Sequence, residues 1–236
     1  MHYFTDATRA DIERQLGLDV PIHVQYLRWL KDLIFHGDLG NSLWLKTPVM
    51  HEILIKLPVT FELGLLGLLI SMVIGLPIGI FSALRQDTFG DYVSRSIAIL
   101  FISVPGFWIG TLVVVFPSIW WGYLPSITLI PFFEDPIGNL KMFIVPATVL
   151  GMAMGGITMR MTRTTMLEVL RQDYVRTAWA KGLSQRVVSL RHAIKNAFIP
   201  TLTVIALQFG YLLGGAIITE TIFAWPGVGR WLFLAV

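Results

Sequence analysis

Residues 160–196 read RMTRTTMLEVLRQDYVRTAWAKGLSQRVVSLRHAIKN, and the rest of the chain is organised around them. The stretch holds eight of the eighteen Lys and Arg: Arg160, Arg163, Arg171, Arg176, Lys181, Arg186, Arg191 and Lys195. Its only acids are Glu168 and Asp173. Long apolar runs precede and follow it. At roughly +2.5 kcal/mol or more per Arg or Lys at mid-bilayer, eight cations would cost about 20 kcal/mol in lipid. The stretch is therefore a polar segment between membrane spans, and its charge excess places it in the cytoplasm.

The same stretch has a helical pattern. Leu167, Leu170, Tyr174 and Ala178 recur at helical spacing, and Val175, Ala178, Trp179 and Gly182 continue an apolar face, with Ala178 and Gly182 four apart on one side of the helix as small residues that let a partner approach. Gly182 is a poor helix-interior residue and marks a break. Ser184 can then cap a second helix through Val187 and Leu190. Two helices with a glycine corner between them, held against a membrane, suit the docking of another protein. A polybasic loop that only touches anionic lipid is the plainer alternative.

Three segments carry a family resemblance: Tyr174–Leu183, Arg191–Pro200 and Glu220–Gly229. They resemble the YVRTAxAKGL, RHAxxNAxIP and ETIFxxPGxG segments of ABC-importer permeases of the dipeptide, oligopeptide and nickel branch. The resemblance extends from about Leu16 onward. It implies that the loop is of the EAA type and docks a coupling helix on an ATP-binding-cassette ATPase, through Tyr174, Arg176, Thr177, Ala178, Lys181, Gly182, Leu183 and Arg186. The eponymous Glu is Arg176 here, and the family's internal Leu-Pro is replaced by Ile194-Lys195. It further implies a second homologous permease subunit, an extracytoplasmic substrate-binding protein, and a multi-pass location in a prokaryotic inner membrane. ATP and Mg would be bound by the partner ATPase, with no cofactor in this chain. An outer gate segment of Glu220, Phe223, Pro226, Gly227 and Gly229 is expected, with Pro226 and Gly227 making a tight turn.

Composition agrees with an all-α, polytopic membrane bundle. The chain has 236 residues, 55% hydrophobic and 14% charged, against about 25% charged in soluble proteins. The net charge of +3 is concentrated in one loop, so it reports topology and docking rather than nucleic-acid binding. No cysteine is present, which excludes disulfides and thiolate chemistry. The five histidines, at 2, 23, 36, 51 and 192, show no metal-ligand spacing. GxxxxGK[ST], GxSxG and HExxH are absent, so the chain is not its own ATPase and carries no familiar hydrolase site.

The expected organisation is an extracytoplasmic amphipathic segment over 1–57 and a permease domain over 58–236. In the first, a helix begins near Asp19 and Pro21, presents Ile22, Tyr26, Trp29, Leu30 and Leu33, and ends at Gly37. In the second, spans are expected at about 58–84, 92–121, 142–159 and 200–219, with the cytoplasmic loop at 160–196. Pro77 would kink the first span, and Pro105-Gly106 and Pro117 would break the second. Eighteen residues make the third span marginal at about 27 Å, with Lys141 and Arg160 snorkelling. Residues 122–140 carry Glu134 and Asp135 and no Lys or Arg, against eight basic residues in 160–196, which puts them outside. Each span contains one GxxxG, at Gly75–Gly79, Gly106–Gly110, Gly151–Gly155 and Gly210–Gly214. Helix packing within the subunit is the expected use of each. The family has a further span before Gly37–Ser42 and another after Gly229, so the chain is expected to be a fragment or truncated product. Apart from Arg95 near the start of the second, the spans offer Glu62, Gln208 and hydroxyls as their polar groups. That leaves no mid-span ionisable group for a coupled carrier, and energy is expected from a partner. A channel, a secondary carrier or a membrane enzyme are the competing functions.

Overall fold

Among the described residues every named element is a helix, and each long apolar run thereby satisfies its backbone groups internally. The computed structural model describes residues 20–42, 46–123, 126 and 128–234, with backbone alone at 211, 213 and 215. The chain divides into two units, 1–55 and 56–236. The expected helix start at Asp19 lies outside the described residues.

In the first unit, α1 (Ile22–Lys31) passes into a wider π-helical turn over Asp32–His36. Gly37, at φ +61°, stops it where the sequence indicated. No residue of α1 is buried, and Ile22, Tyr26 and Trp29 are exposed along it.

The long helix α2 (Val49–Leu84), most of which belongs to the second unit, begins nine residues earlier than the span expected from Pro58 and runs unbroken through Pro58 and Pro77. α3 (Phe89–Ser103) and α4 (Gly106–Trp121) follow. They replace the single span expected at 92–121, because the chain bends by 87° between them. Val104 and Pro105 are extended at the bend, as the residue before proline prefers. Pro117 does not break α4, contrary to expectation. α5 (Pro136–Leu170) has 35 residues, almost twice the expected third span. It continues past Arg160 because Thr162, Thr165 and Met166 keep the helical period and are buried against neighbouring helices. The first part of the 160–196 stretch is thus the end of a long helix, not a loop.

α6 (Asp173–Ala180) is short. α7 (Gln185–Val187), a π-helical stretch (Val188–Ala193) and α8 (Ile194–Ile222) then run on with helical backbone at each junction. α9 (Val228–Leu234) closes the described chain. Among the described residues, three helices are long and apolar enough to cross a membrane, or four if α3 and α4 count as one bent span.

Glycines set the closeness of α2 and α5. A Cβ on Gly79 would lie 2.7 Å from the Met159 carbonyl oxygen, and one on Gly151 would lie 2.7 Å from that of Gly67. A Cβ on Gly75 would lie 2.7 Å from Thr158. These glycines serve packing within the subunit. Gly106, Gly210 and Gly214 differ, with nothing within 4 Å of an added Cβ. Gly151→Ala is therefore expected to destabilise the bundle by about 1–3 kcal/mol through overpacking against backbone. Gly210→Ala should leave the melting temperature of the detergent-solubilised subunit unchanged. Equal melting temperatures for the two variants would refute this account of the α2–α5 contact.

Candidate functional sites at the two ends of α2

The first site is the corner between α6 and α7. α6 ends in a Schellman arrangement: Leu183 N–H donates to the Ala178 carbonyl and Gly182 N–H to that of Trp179. Gly182 takes φ +78°, which glycine adopts without steric cost. The break falls where the sequence placed it. Ser184 occupies the N-cap position of α7, but its hydroxyl makes no cap hydrogen bond.

Underneath, Val175, Ala178 and Val188 form a small buried cluster with Leu170 against it. This corrects one element of the docking surface. Ala178 and Gly182 do not share an exposed helical face, because α6 stops at Ala180 and Ala178 is turned inward, 6% exposed. Small apolar residues suit either a tight exterior contact or an interior seat, and here the seat beneath Val188 prevails. What faces outward is Tyr174, Trp179 and Leu183, ringed by Arg176, Thr177, Lys181, Gly182 and Arg186. Arg176 already has a partner on its own helix, Asp173 at 3.4 Å, an exposed pair. The Thr177 hydroxyl donates to the Asp173 carbonyl, so it is committed to the helix. Asn196 donates to the Tyr174 hydroxyl at 2.9 Å and ties α6 to α8. A second cluster of Ala83, Met166, Ala193 and Ala197 joins the ends of α2, α5 and α8 just beneath. Between α6 and these ends lies a cleft of about 370 Å³, lined by Leu84, Leu170, Arg171, Arg176 and Trp179 among others.

Close by is an ion pair that sequence reasoning missed. Arg163 donates from Nε and Nη2 to the two carboxylate oxygens of Asp91, both at 2.8 Å. Ser82 donates to the same carboxylate, and so does the Asp87 backbone N–H at 3.0 Å. Asp91 is fully buried. One carboxylate thus joins the C-terminal end of α2, the following turn, the start of α3 and the long helix α5.

The second site lies near the other end of α2. From Thr60 to Leu84 the helix rise alone gives about 36 Å, on the order of a bilayer's thickness. Here Glu220, near the end of α8, is fully buried. Its carboxylate accepts from the Thr60 hydroxyl and from the Arg230 N–H at 2.8 Å. Thr60 in turn accepts from the Val228 N–H at 2.9 Å. The Arg230 guanidinium donates to the Ala224 carbonyl. Gly227 sits so close that any Cβ would collide with the Glu220 carboxylate, and a Cβ on Gly229 would lie 2.7 Å from Ile217 Cα. Gly227 is therefore required for close approach, while the left-handed residue of the turn is Ala224, at φ +57°. Phe223 and Trp225 are buried, Trp225 against Phe143 with ring centroids 4.3 Å apart, and Pro226 is exposed.

The family described as binding-protein-dependent transport system inner membrane component matches residues 75–236. The chain belongs to this family. It is a multi-pass membrane permease of a transport system, and not an enzyme. A putative peptide transport system permease protein of Brucella suis is 43% identical over 95% of this chain and 71% of its own length. The dipeptide transport system permease protein DppB of Alkalihalophilus pseudofirmus is 43% identical over 96% of the chain and 74% of its own length. DppB of Escherichia coli K12 is 37% identical over the same shares. Among solved structures, a chain from the crystal structure of an amino acid ABC transporter with histidines aligns with a TM-score of 0.54. It is 16% identical and covers 78% of this chain and 77% of that one, so it supports the fold.

The Glu220 network makes a graded prediction for this permease. Glu220→Ala leaves the Thr60 hydroxyl and the Arg230 N–H buried without an acceptor, at roughly 1–3 kcal/mol each. Glu220→Gln retains one acceptor oxygen but turns an NH₂ toward a donor. Protease accessibility of the 224–230 turn is expected to rise strongly in the alanine variant and less in the glutamine variant. If both remain as protected as wild type, the carboxylate does not hold the turn.

Proposed function

We propose that this permease is one half of the membrane pathway of an ATP-driven importer for peptides or a related small solute in a prokaryotic inner membrane. A second homologous permease forms the other half. An ATP-binding-cassette ATPase, which binds ATP and Mg, docks on the α6–α7 corner. A substrate-binding protein delivers solute at the Glu220 end. The observation that carries this reading is the exposure of Tyr174, Trp179 and Leu183 among Arg176, Lys181 and Arg186 at one end of α2, α5 and α8, with the Glu220-anchored turn at the other. The names of the similar permeases, peptide and dipeptide, support the solute class.

The geometry supports alternating access. Force applied to α6 passes through the Val175–Val188 cluster and the Asn196–Tyr174 hydrogen bond into α8. α8 carries Glu220 at its far end, so tilting it pulls on the turn from Ala224 to Gly229 that acts as the outer gate. The open faces of Gly210 and Gly214 allow close approach of the second permease. The test is uptake of labelled dipeptide into vesicles holding the assembled transporter with its ATPase and binding protein. Uptake should require ATP inside and binding protein outside. Uptake that runs down a proton or sodium gradient without ATP would overturn the proposal.

A further inference from the structure

A second basic feature lies in the seam between α3 and α5, away from the docking corner. A cleft of about 320 Å³ opens there, lined among others by Ile78, Ser94, Arg95, Ile99, Ile102 and Arg160. Its two ends differ in chemistry. The helices run antiparallel, as Arg163 meets Asp91 while Gly156 lies against Ala98 and Ile102. Arg95 and Arg160 therefore stand toward the Asp91 end, and Ile99 and Ile102 further into the bundle's apolar zone.

The charges at the polar end are not all balanced. Arg163 is neutralised by Asp91. Arg95 and Arg160 are exposed and have no acid within ion-pair distance among the described residues. Arg95 lies 5.7 Å over the Tyr92 ring, which keeps its guanidinium beside the cleft. Phe81, Phe89 and Tyr92 are exposed around the same end, as aromatic side chains at headgroup level are. Ile99, 61% exposed, and Ile102 continue as an apolar wall. Two uncompensated guanidinium groups above an apolar slot match an amphipathic anion, and basic pockets between membrane helices are a recognised setting for anionic headgroups.

We propose that this cleft binds an anionic phospholipid, with its phosphate on Arg95 and Arg160 and one acyl chain along Ile78, Ile99 and Ile102. The site needs only the membrane-embedded bundle, and it stands whether or not the α6–α7 corner holds an ATPase. A lipid seated there bridges α3 to α5 beside the Asp91–Arg163 pair.

The test uses the assembled transporter in mild detergent and native mass spectrometry. Phosphatidylglycerol, phosphatidylcholine and soluble glycerol 3-phosphate are the three probes. Phosphatidylglycerol should be retained in preference to phosphatidylcholine, and glycerol 3-phosphate should compete poorly because it lacks the chain. At about 1 kcal/mol per basic residue, Arg95→Gln and Arg160→Gln should each weaken phosphatidylglycerol binding roughly fivefold. Ile99→Trp should also weaken it by filling the slot without touching charge. Arg85→Gln, which removes the same charge off the cleft, should leave it unchanged. Equal retention of the two lipids overturns the proposal, as does a loss with Arg85→Gln equal to that with Arg95→Gln. Competition by glycerol 3-phosphate as strong as by the lipid would make it a free-phosphate site, and cross-linking of Arg95→Cys to the second permease would make it a subunit interface. Either result overturns the lipid assignment.

Discussion

Arg163→Ala should lower the stability of the permease by about 3–5 kcal/mol, the largest loss expected of any single change here. The cost does not measure the strength of the ion pair. A buried salt bridge is close to neutral against a well-packed apolar replacement, because desolvation offsets the Coulomb attraction. The loss arises because Asp91 would remain fully buried with its charge uncompensated. Ser82 and the Asp87 N–H would still donate to it, but two neutral donors do not replace a bidentate guanidinium. Asp91→Ala should cost less, because Arg163 is only partly buried and can reach water. The double variant should therefore be more stable than Arg163→Ala alone, a sign of coupling that independent sites cannot produce. Thermal melts of the four proteins in one detergent check this. A double variant whose loss equals the sum of the two single losses would show that the pair is not coupled.

That pair marks where the sequence stops being legible. Asp91 and Arg163 lie 72 residues apart, and each reads locally as an ordinary residue of a polar turn or a basic stretch. Nothing in spacing reports a contact between two helices without a partner pattern. Glu220 and Thr60, 160 residues apart, are the same case. The segment Glu220–Gly229 could be recognised, but not that Gly227 exists to admit a carboxylate. Local chemistry was more informative. Gly182 and Gly37 both end helices at positive φ, because the steric rule that favours glycine there acts on one residue at a time. Pro105 announced a break in the second span, while the 87° bend depends on how α4 packs against α8 and could not be read. The third span was underestimated for a related reason. Its polar residues after Arg160 argued for an exit from lipid, which does not require the helix to end.

The other large effect concerns the docking corner, and burial decides which residues should carry it. With Ala178 inward, the exposed apolar knob is Trp179 and Leu183, about 40% exposed each among the apolar side chains of the chain's surface. If an ATPase cleft receives this knob, a carboxylate at its centre must be desolvated without a partner, at several kcal/mol. Leu183→Asp should therefore reduce co-purification of the ATPase at least a hundredfold and abolish ATP-dependent uptake. Membrane insertion should be unaffected, because Leu183 lies outside α6 and makes no part of the buried Val175–Val188 cluster. Gly182→Glu should have a comparable effect on docking, but it also forces a side chain into φ +78°, which costs roughly 1–2 kcal/mol. Gly182→Ala separates the two contributions, since it carries the backbone strain without the charge. Arg176→Ala should reduce association by no more than about fivefold, because an exposed cation already paired with Asp173 is screened by solvent and salt. The expected order is thus Leu183→Asp and Gly182→Glu far below Gly182→Ala, with Arg176→Ala near wild type. Co-purification from membranes at fixed expression reads this order directly. If Leu183→Asp inserts normally and retains the ATPase at wild-type levels, the corner is not the docking surface, and a basic loop resting on lipid becomes the better account of residues 171–191.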